Sequence, residues 1–215
     1  MKIRKYNLKD KEEVEKIHFE TGFIGKSMDK FLTRTKEWDN EIKYYFENEP
    51  ESIFVAVDNN KIVGYLIGFL DDSRQNKTLE FIKTSIKNLI KSPLMHPKDR
   101  KFLISRLKFI FRVISNKSDE KICEDPKNAG HLHINFLPDA RGKGIGSKLL
   151  KKFFEYAKKN GVKTIHADGF QTDLNSNKNF WIKNGFKEYS KVRTSYWREQ
   201  LPNEQIYLVC YVKEL

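Results

Sequence analysis

The 215-residue sequence predicts an α+β fold: a mixed central β-sheet with flanking helices and one helical insertion. Three observations carry this expectation. Apolar runs of strand character alternate along the chain with segments of helical period. The stretch Phe136-Leu137-Pro138-Asp139-Ala140-Arg141-Gly142-Lys143-Gly144-Ile145-Gly146 runs from a strand through a turn into a glycine-rich, basic loop that opens a helix. The positive charge is gathered in one segment rather than spread over the chain.

The elements follow in order. Lys2 to Tyr6 reads as a short strand, and Asp10 to Glu20, with Val14, Ile17 and His18 at helical spacing, as an amphipathic helix. A second helix is expected over Thr35 to Glu47, where Trp38, Ile42, Tyr45 and Phe46 share one face. Ser52 to Val57 and Lys61 to Phe69 form a hairpin around the turn residues Asp58-Asn59-Asn60. In the insertion, Leu79, Ile82, Ile86, Leu89 and Ile90 keep a helical period, as do Leu103, Leu107, Ile110, Phe111 and Ile114. Ser92-Pro93 and His96-Pro97 separate the two runs, which predicts a helical hairpin. A strand is expected from His131 to Leu137, then a helix from Lys143 to Lys159 stopped by Asn160-Gly161. Val162 to Asp168 is a strand and Ser176 to Lys183 a helix stopped by Asn184-Gly185. Strands at Phe186 to Tyr196 and Gln205 to Val212 close a single domain, 1–215, with the basic insertion at 74–128 between strands.

Composition narrows the class. Hydrophobic residues make up 39% and aromatics 13%, enough for a globular core. No apolar run approaches the roughly 20 residues of a membrane span. The start, Met1-Lys2-Ile3-Arg4-Lys5-Tyr6, lacks the apolar core of a secretory signal, so a cytoplasmic location is expected. Cys123 and Cys210 lie far apart and suggest neither a disulfide framework nor a Cys-pair metal site; no metal is expected. The net charge is +12, but twelve Lys/Arg against two acids between Arg74 and Lys117 account for +10 of it. Basicity is therefore a property of the insertion. Its lysines read as a solvated face, as a lid favouring an acidic or phosphorylated acceptor, or as an attachment to nucleic acid or an anionic membrane surface.

The glycine loop offers backbone N–H groups, backed by a helix dipole, to a phosphate. The nucleoside-triphosphate pattern G-x-x-x-x-G-K-[ST] is excluded, because no glycine stands at the required offset. The dinucleotide pattern G-x-G-x-x-G matches Gly142-Lys143-Gly144, but Ser147 stands where its third glycine belongs, and Asp168 is its candidate ribose acid. Arg141-Gly142-Lys143-Gly144-Ile145-Gly146 fits [R/Q]-x-x-G-x-[G/A] and resembles the pyrophosphate loop of the GNAT family of acyl-CoA-dependent N-acetyltransferases. The resemblance extends to Phe136-Leu137-Pro138-Asp139 before the loop and to the aromatic-x-x-x-Gly-Phe segment Trp181-Ile182-Lys183-Asn184-Gly185-Phe186.

The resemblance implies a GNAT fold with splayed central strands and acetyl-CoA as co-substrate. The diphosphate would lie on Arg141, Gly142, Lys143, Gly144, Ile145, Gly146 and Ser147, and pantetheine would bond the backbone of Ile134, Asn135 and Phe136. Asn175 stands near the family's pantetheine asparagine and equally reads as a turn residue capping the next helix. The implied reaction is acetyl transfer to a primary amine by direct attack. The expected acceptor is a small molecule, with a protein or peptide amine as second choice. Where the family commonly has a tyrosine as acid to sulfur, this sequence has Trp181, whose indole N–H is a hydrogen-bond donor only. Tyr189, Tyr196 or water then supplies the proton. His131 and His133 lead as general base, with Glu20 and Asp168 behind them. Trp181 also favours a rival reading: a non-catalytic acyl-CoA-binding or nucleic-acid-associated module. A homodimer is an open option.

Overall fold

The computed structural model describes residues 1–34, 42–43, 45–70, 96–115, 123–173 and 177–215. Its strands are β1 (Lys2–Lys5), β2 (Phe54–Asp58), β3 (Lys61–Phe69), β4 (Gly130–Phe136), β5 (Thr164–Thr172), β6 (Lys187–Arg193) and β7 (Ile206–Glu214). Its helices are α1 (Lys11–Thr21), α2 (Pro97–Ser115), α3 (Ile145–Lys159) and α4 (Lys178–Lys183), with helical backbone also at 42–43 and 45–48. The strands make one mixed sheet in the order β1-β2-β3-β4-β5-β7-β6. No helix among the described residues is long and apolar enough to cross a membrane.

Local chemistry sets the boundaries that the sequence announced. Asp58 pairs with Lys61, leaving Asn59 (φ 46°) and Asn60 (φ 63°) as a two-residue turn with both residues left-handed. That combination suits the twist of a hairpin, and asparagine tolerates it. Both Asn-Gly stops close their helices in the same way. Val162 N–H reaches Ala157 O and Gly161 N–H reaches Lys158 O, while Phe186 N–H reaches Trp181 O and Gly185 N–H reaches Ile182 O. These are paired Schellman bonds, which need a left-handed residue that glycine adopts without strain.

Period-two alternation on β3 sends its side chains to two cores. Leu66 joins Leu132 under Leu149, Leu150 and Phe153 of α3. Tyr65, Ile67 and Phe69 face Val14 and Ile17 of α1, together with Ile42, Tyr45 and Phe46. Gly68 permits the close approach of α3, because a Cβ there would stand 1.9 Å from the Phe153 ring.

The feature that makes a site lies at mid-sheet. β4 and β5 are parallel and pair only at Gly130↔Ile165 and His131↔His166. On their outer sides both strands are laddered throughout: β4 to β3 from Phe69↔His131 to Gly64↔Phe136, and β5 to β7 from Thr164↔Glu214 to Thr172↔Ile206. Past the shared root, the inner edges of residues 132–136 and 167–172 therefore diverge as the arms of a fork.

Some expectations need correction. β5 runs on to Thr172 instead of ending at Asp168, since its ladder with β7 continues through Phe170↔Leu208 after the apolar alternation stops. β6 ends at Arg193, so Tyr196 lies in the following turn and not on a strand. The first helix of the insertion hairpin and residues Trp38, Asn175 and Ser176 lie outside the described residues. In α2, Leu103 is buried but Phe111 and Ile114 are exposed, so the apolar set does not all face inward.

Candidate functional site

The loop after β4 is built by its glycines. Gly142 (φ 74°) and Gly144 (φ 73°) are left-handed, and a Cβ at either would meet nothing within 4 Å. Conformation, not crowding, demands glycine there. Gly144 precedes α3 and makes no side-chain capping bond. The first-turn N–H groups of a helix have no intrahelical acceptor, and the positive end of the dipole adds to them. Gly142, Lys143 and Gly144 are exposed, while Ile145 and Gly146 anchor the start of α3 in the core. Arg141 staples the loop from the other side: its Nε donates to Phe136 O (2.9 Å) and its Nη2 to Gly25 O (2.6 Å). Desolvation lowers its pKa.

The loop opens onto the fork. Burial falls along β4 from His131 and Leu132, which are buried, to 133–137, which are half-buried. Ile134, Asn135 and Phe136 lie on the β4 arm of this opening. Toward α1, a polar chain starts at the fork and runs inward. Asn135 Nδ2 donates to Tyr65 Oη (2.9 Å) and lies 3.1 Å from His133 Nε2. Tyr65 Oη lies 2.9 Å from His18 Nδ1. Asn135 thus ties His133 to Tyr65 and, through it, to His18. Tyr65 is fully buried, and His18 nearly so. His18 had stood out in the sequence only by its helical spacing with Val14 and Ile17, and Tyr65 only as part of the strand Lys61 to Phe69.

His131 and His133 point to the same face but enter different neighbourhoods. His131 is buried at the fork's root, its Nε2 3.7 Å from Asp168 Oδ2 and its ring 4.9 Å from that of His166. Asp168, the expected strand-end acid, is thus tied to two histidines, since His166 Nδ1 is 3.7 Å from its Oδ1. Cys210, across the ladder from Asp168, has its thiol pKa raised by burial and by the Asp168 charge. Metal-binding side chains gather here. Glu20 ends α1 beside Lys16 (3.8 Å). Tyr189 is half-exposed on the edge strand β6, separated from β5 by β7. Trp181 is buried, stacked on Tyr211 and edge-on to Phe180 and Phe186; it packs the core.

Helix α2 forms a wall beside the turn after β6. Arg106 lies over the rings of Tyr196 (3.9 Å), Trp197 (4.2 Å) and Phe102 (4.3 Å) and donates to Tyr196 O. Arg112 donates from Nε to Ser195 Oγ (2.7 Å) and pairs with Glu199 (3.0 Å). Asp99 is buried and accepts the Thr33 N–H (2.6 Å). Two of the insertion's cations are thus structural, while Lys101 and Lys108 stay in solvent.

The fold recurs in known proteins. Residues 113–188, which contain the glycine loop and both arms of the fork, match the model of an acetyltransferase (GNAT) domain. No curated protein sequence matches the chain. The crystal structure of SsHAT is similar at 19% identity with a TM-score of 0.61, over 99% of this chain and 97% of that one. Mosquito arylalkylamine N-acetyltransferase like 5b gives 16% and 0.60, over 100% and 99%. A ribosomal-protein-alanine N-acetyltransferase from Brucella melitensis gives 14% and 0.58, over the full length of both. The fold is the GNAT fold, and residues 113–188 carry the sequence likeness to the GNAT family that the glycine loop led us to expect.

Proposed function

We propose that this chain is an acyl-CoA-dependent N-acetyltransferase that passes the acetyl group of acetyl-CoA to a primary amine by direct attack. It acts as one domain in the cytoplasm. The observation that carries the reading is the fork whose inner edges lead straight to the glycine loop. In it, the amides of Gly142 to Ser147 hold the diphosphate, and the half-buried backbone of Ile134 to Phe136 holds the pantetheine as an added strand. Acetyl-CoA supplies the activated acyl group. His133 accepts the amine proton, and Asn135, backed by Tyr65 and His18, holds its ring in place. His131 is the second candidate, held by Asp168. Water protonates the departing thiolate, because Trp181 is enclosed by aromatic rings. The acceptor is a small-molecule amine, with a peptide amine as second choice; similar folds carry names for arylalkylamine, agmatine and ribosomal-protein alanine substrates.

Trp181 also supports a second reading, a module that binds acyl-CoA without transferring it. Calorimetry with acetyl-CoA, followed by a thiol-release screen over amines, separates the two. Binding with amine-dependent thiol release supports the enzyme, and binding with none supports the module. No binding refutes both.

A further inference from the structure

At the closed end of the fork, four potential metal donors converge from three separate segments. Asp125 comes from the loop before β4, His166 and Asp168 from β5, and Cys210 from β7. One donor atom from each lies within 4.8 Å of all the others. His166 Nδ1 sits centrally, 3.7 Å from Asp168 Oδ1, 3.9 Å from Asp125 Oδ1 and 3.9 Å from Cys210 Sγ. The donors of a tetrahedral zinc ion, with bonds of about 2.0–2.3 Å, stand roughly 3.3–3.7 Å apart. The three His166 contacts stand within a few tenths of an ångström of that spacing, and the widest pair, within 4.8 Å, would close by about 1 Å around an ion.

We propose that Asp125, His166, Asp168 and Cys210 bind one divalent transition-metal ion of the zinc class. One thiolate, one imidazole and two carboxylates form a four-donor set of mixed softness, which suits zinc or cobalt better than magnesium or calcium. Binding replaces the thiol proton of Cys210, which leaves to solvent, and the ion neutralises two carboxylates around a buried thiol. His131, 3.7 Å from the other oxygen of Asp168, orients that ligand. Entry is from the side of Asp125, which is half-exposed and lines an open hollow of about 620 Å³ with Cys123, Glu124, Lys127 and Tyr189. The ion would pin the 123–126 loop to β5 and β7 where β4 and β5 meet, bracing the root of the fork. The cysteine count was silent because the second sulfur is not a ligand: Cys123 Sγ faces Ser190 Oγ at 3.1 Å.

The test is a cobalt(II) titration of full-length protein stripped with a chelator. It is independent of any acetyl transfer. The expected result is one equivalent bound, with a thiolate-to-cobalt charge-transfer band and the d–d bands of four-coordinate cobalt. Zinc should displace the cobalt and raise the melting temperature. Cys210→Ser should lose the charge-transfer band and Cys123→Ser should keep it. Asp125→Asn, at an exposed position, should weaken cobalt binding at least tenfold with the circular dichroism spectrum unchanged. Absence of stoichiometric binding, a band that survives in Cys210→Ser, or unchanged affinity in Asp125→Asn would each overturn the proposal.

Discussion

Replacing Tyr65 by Phe isolates the polar chain from the packing around it. The ring stays in its core position, with only the hydroxyl removed. That hydroxyl accepts from Asn135 and contacts His18, both at 2.9 Å, and the tyrosine is wholly buried. Two buried hydrogen bonds at about 0.5–1.5 kcal/mol each amount to a loss of about 1–3 kcal/mol. For a chain of this size the middle of that range, about 2 kcal/mol, lowers the melting temperature by about 4–8 °C. The assay is thermal denaturation followed by circular dichroism, with amine-dependent thiol release on the same samples. Turnover should fall and its pH profile should shift, because Asn135, which Tyr65 holds, contacts the His133 ring. Acetyl-CoA affinity should stay the same, because the inner edges of the fork are main chain. A variant with unchanged melting temperature and pH profile would refute the chain as a coupled unit. A large loss of acetyl-CoA affinity would refute its separation from the donor site.

Other perturbations test the remaining parts. Gly144→Ala adds a Cβ with open space around it at φ 73°. The cost is backbone strain of about 1–2 kcal/mol, which should raise the acetyl-CoA Kd by roughly 5–30-fold in calorimetry. Gly68→Ala drives a Cβ to 1.9 Å from the Phe153 ring; such overpacking costs about 1–3 kcal/mol, read as a lower midpoint in guanidinium denaturation. Asp10 accepts from Arg4 at 2.5 and 2.8 Å and from the Asn7 N–H at 2.7 Å, and the Arg4 bond lowers its pKa in the folded protein. The stability it adds is present above the unfolded carboxyl pKa of about 3.9 and disappears as pH falls through the lower folded value. Asp10→Asn should therefore flatten stability against pH on the acid side, measured by urea denaturation across that range.

What was legible in the sequence was what local chemistry decides. Asn59-Asn60, Asn160-Gly161 and Asn184-Gly185 specify their turns through the left-handed conformations they tolerate. The alternation in Lys61 to Phe69 specifies a strand with two buried faces. Less was legible where the partner is remote. His131 and His133 share a face, but their roles are divided by what lies opposite: His166 and Asp168 from β5 for one, Tyr65 and His18 for the other. The charge of the insertion hid a similar division. Arg106 and Arg112 look like the surrounding lysines until Tyr196, Trp197 and Glu199 are brought against them from the far end of the chain. The strand order, with β7 inserted between β5 and β6, has no local signature.

The central claim is that the inner edge of β4 and the glycine loop form one acyl-CoA track. Amide hydrogen exchange with and without acetyl-CoA tests it directly. The account predicts slowed exchange at Ile134, Phe136 and 142–147, with little change at Asn135 and along β3, whose amides are already laddered. Protection confined to other segments, or no protection at saturating acetyl-CoA, would contradict it.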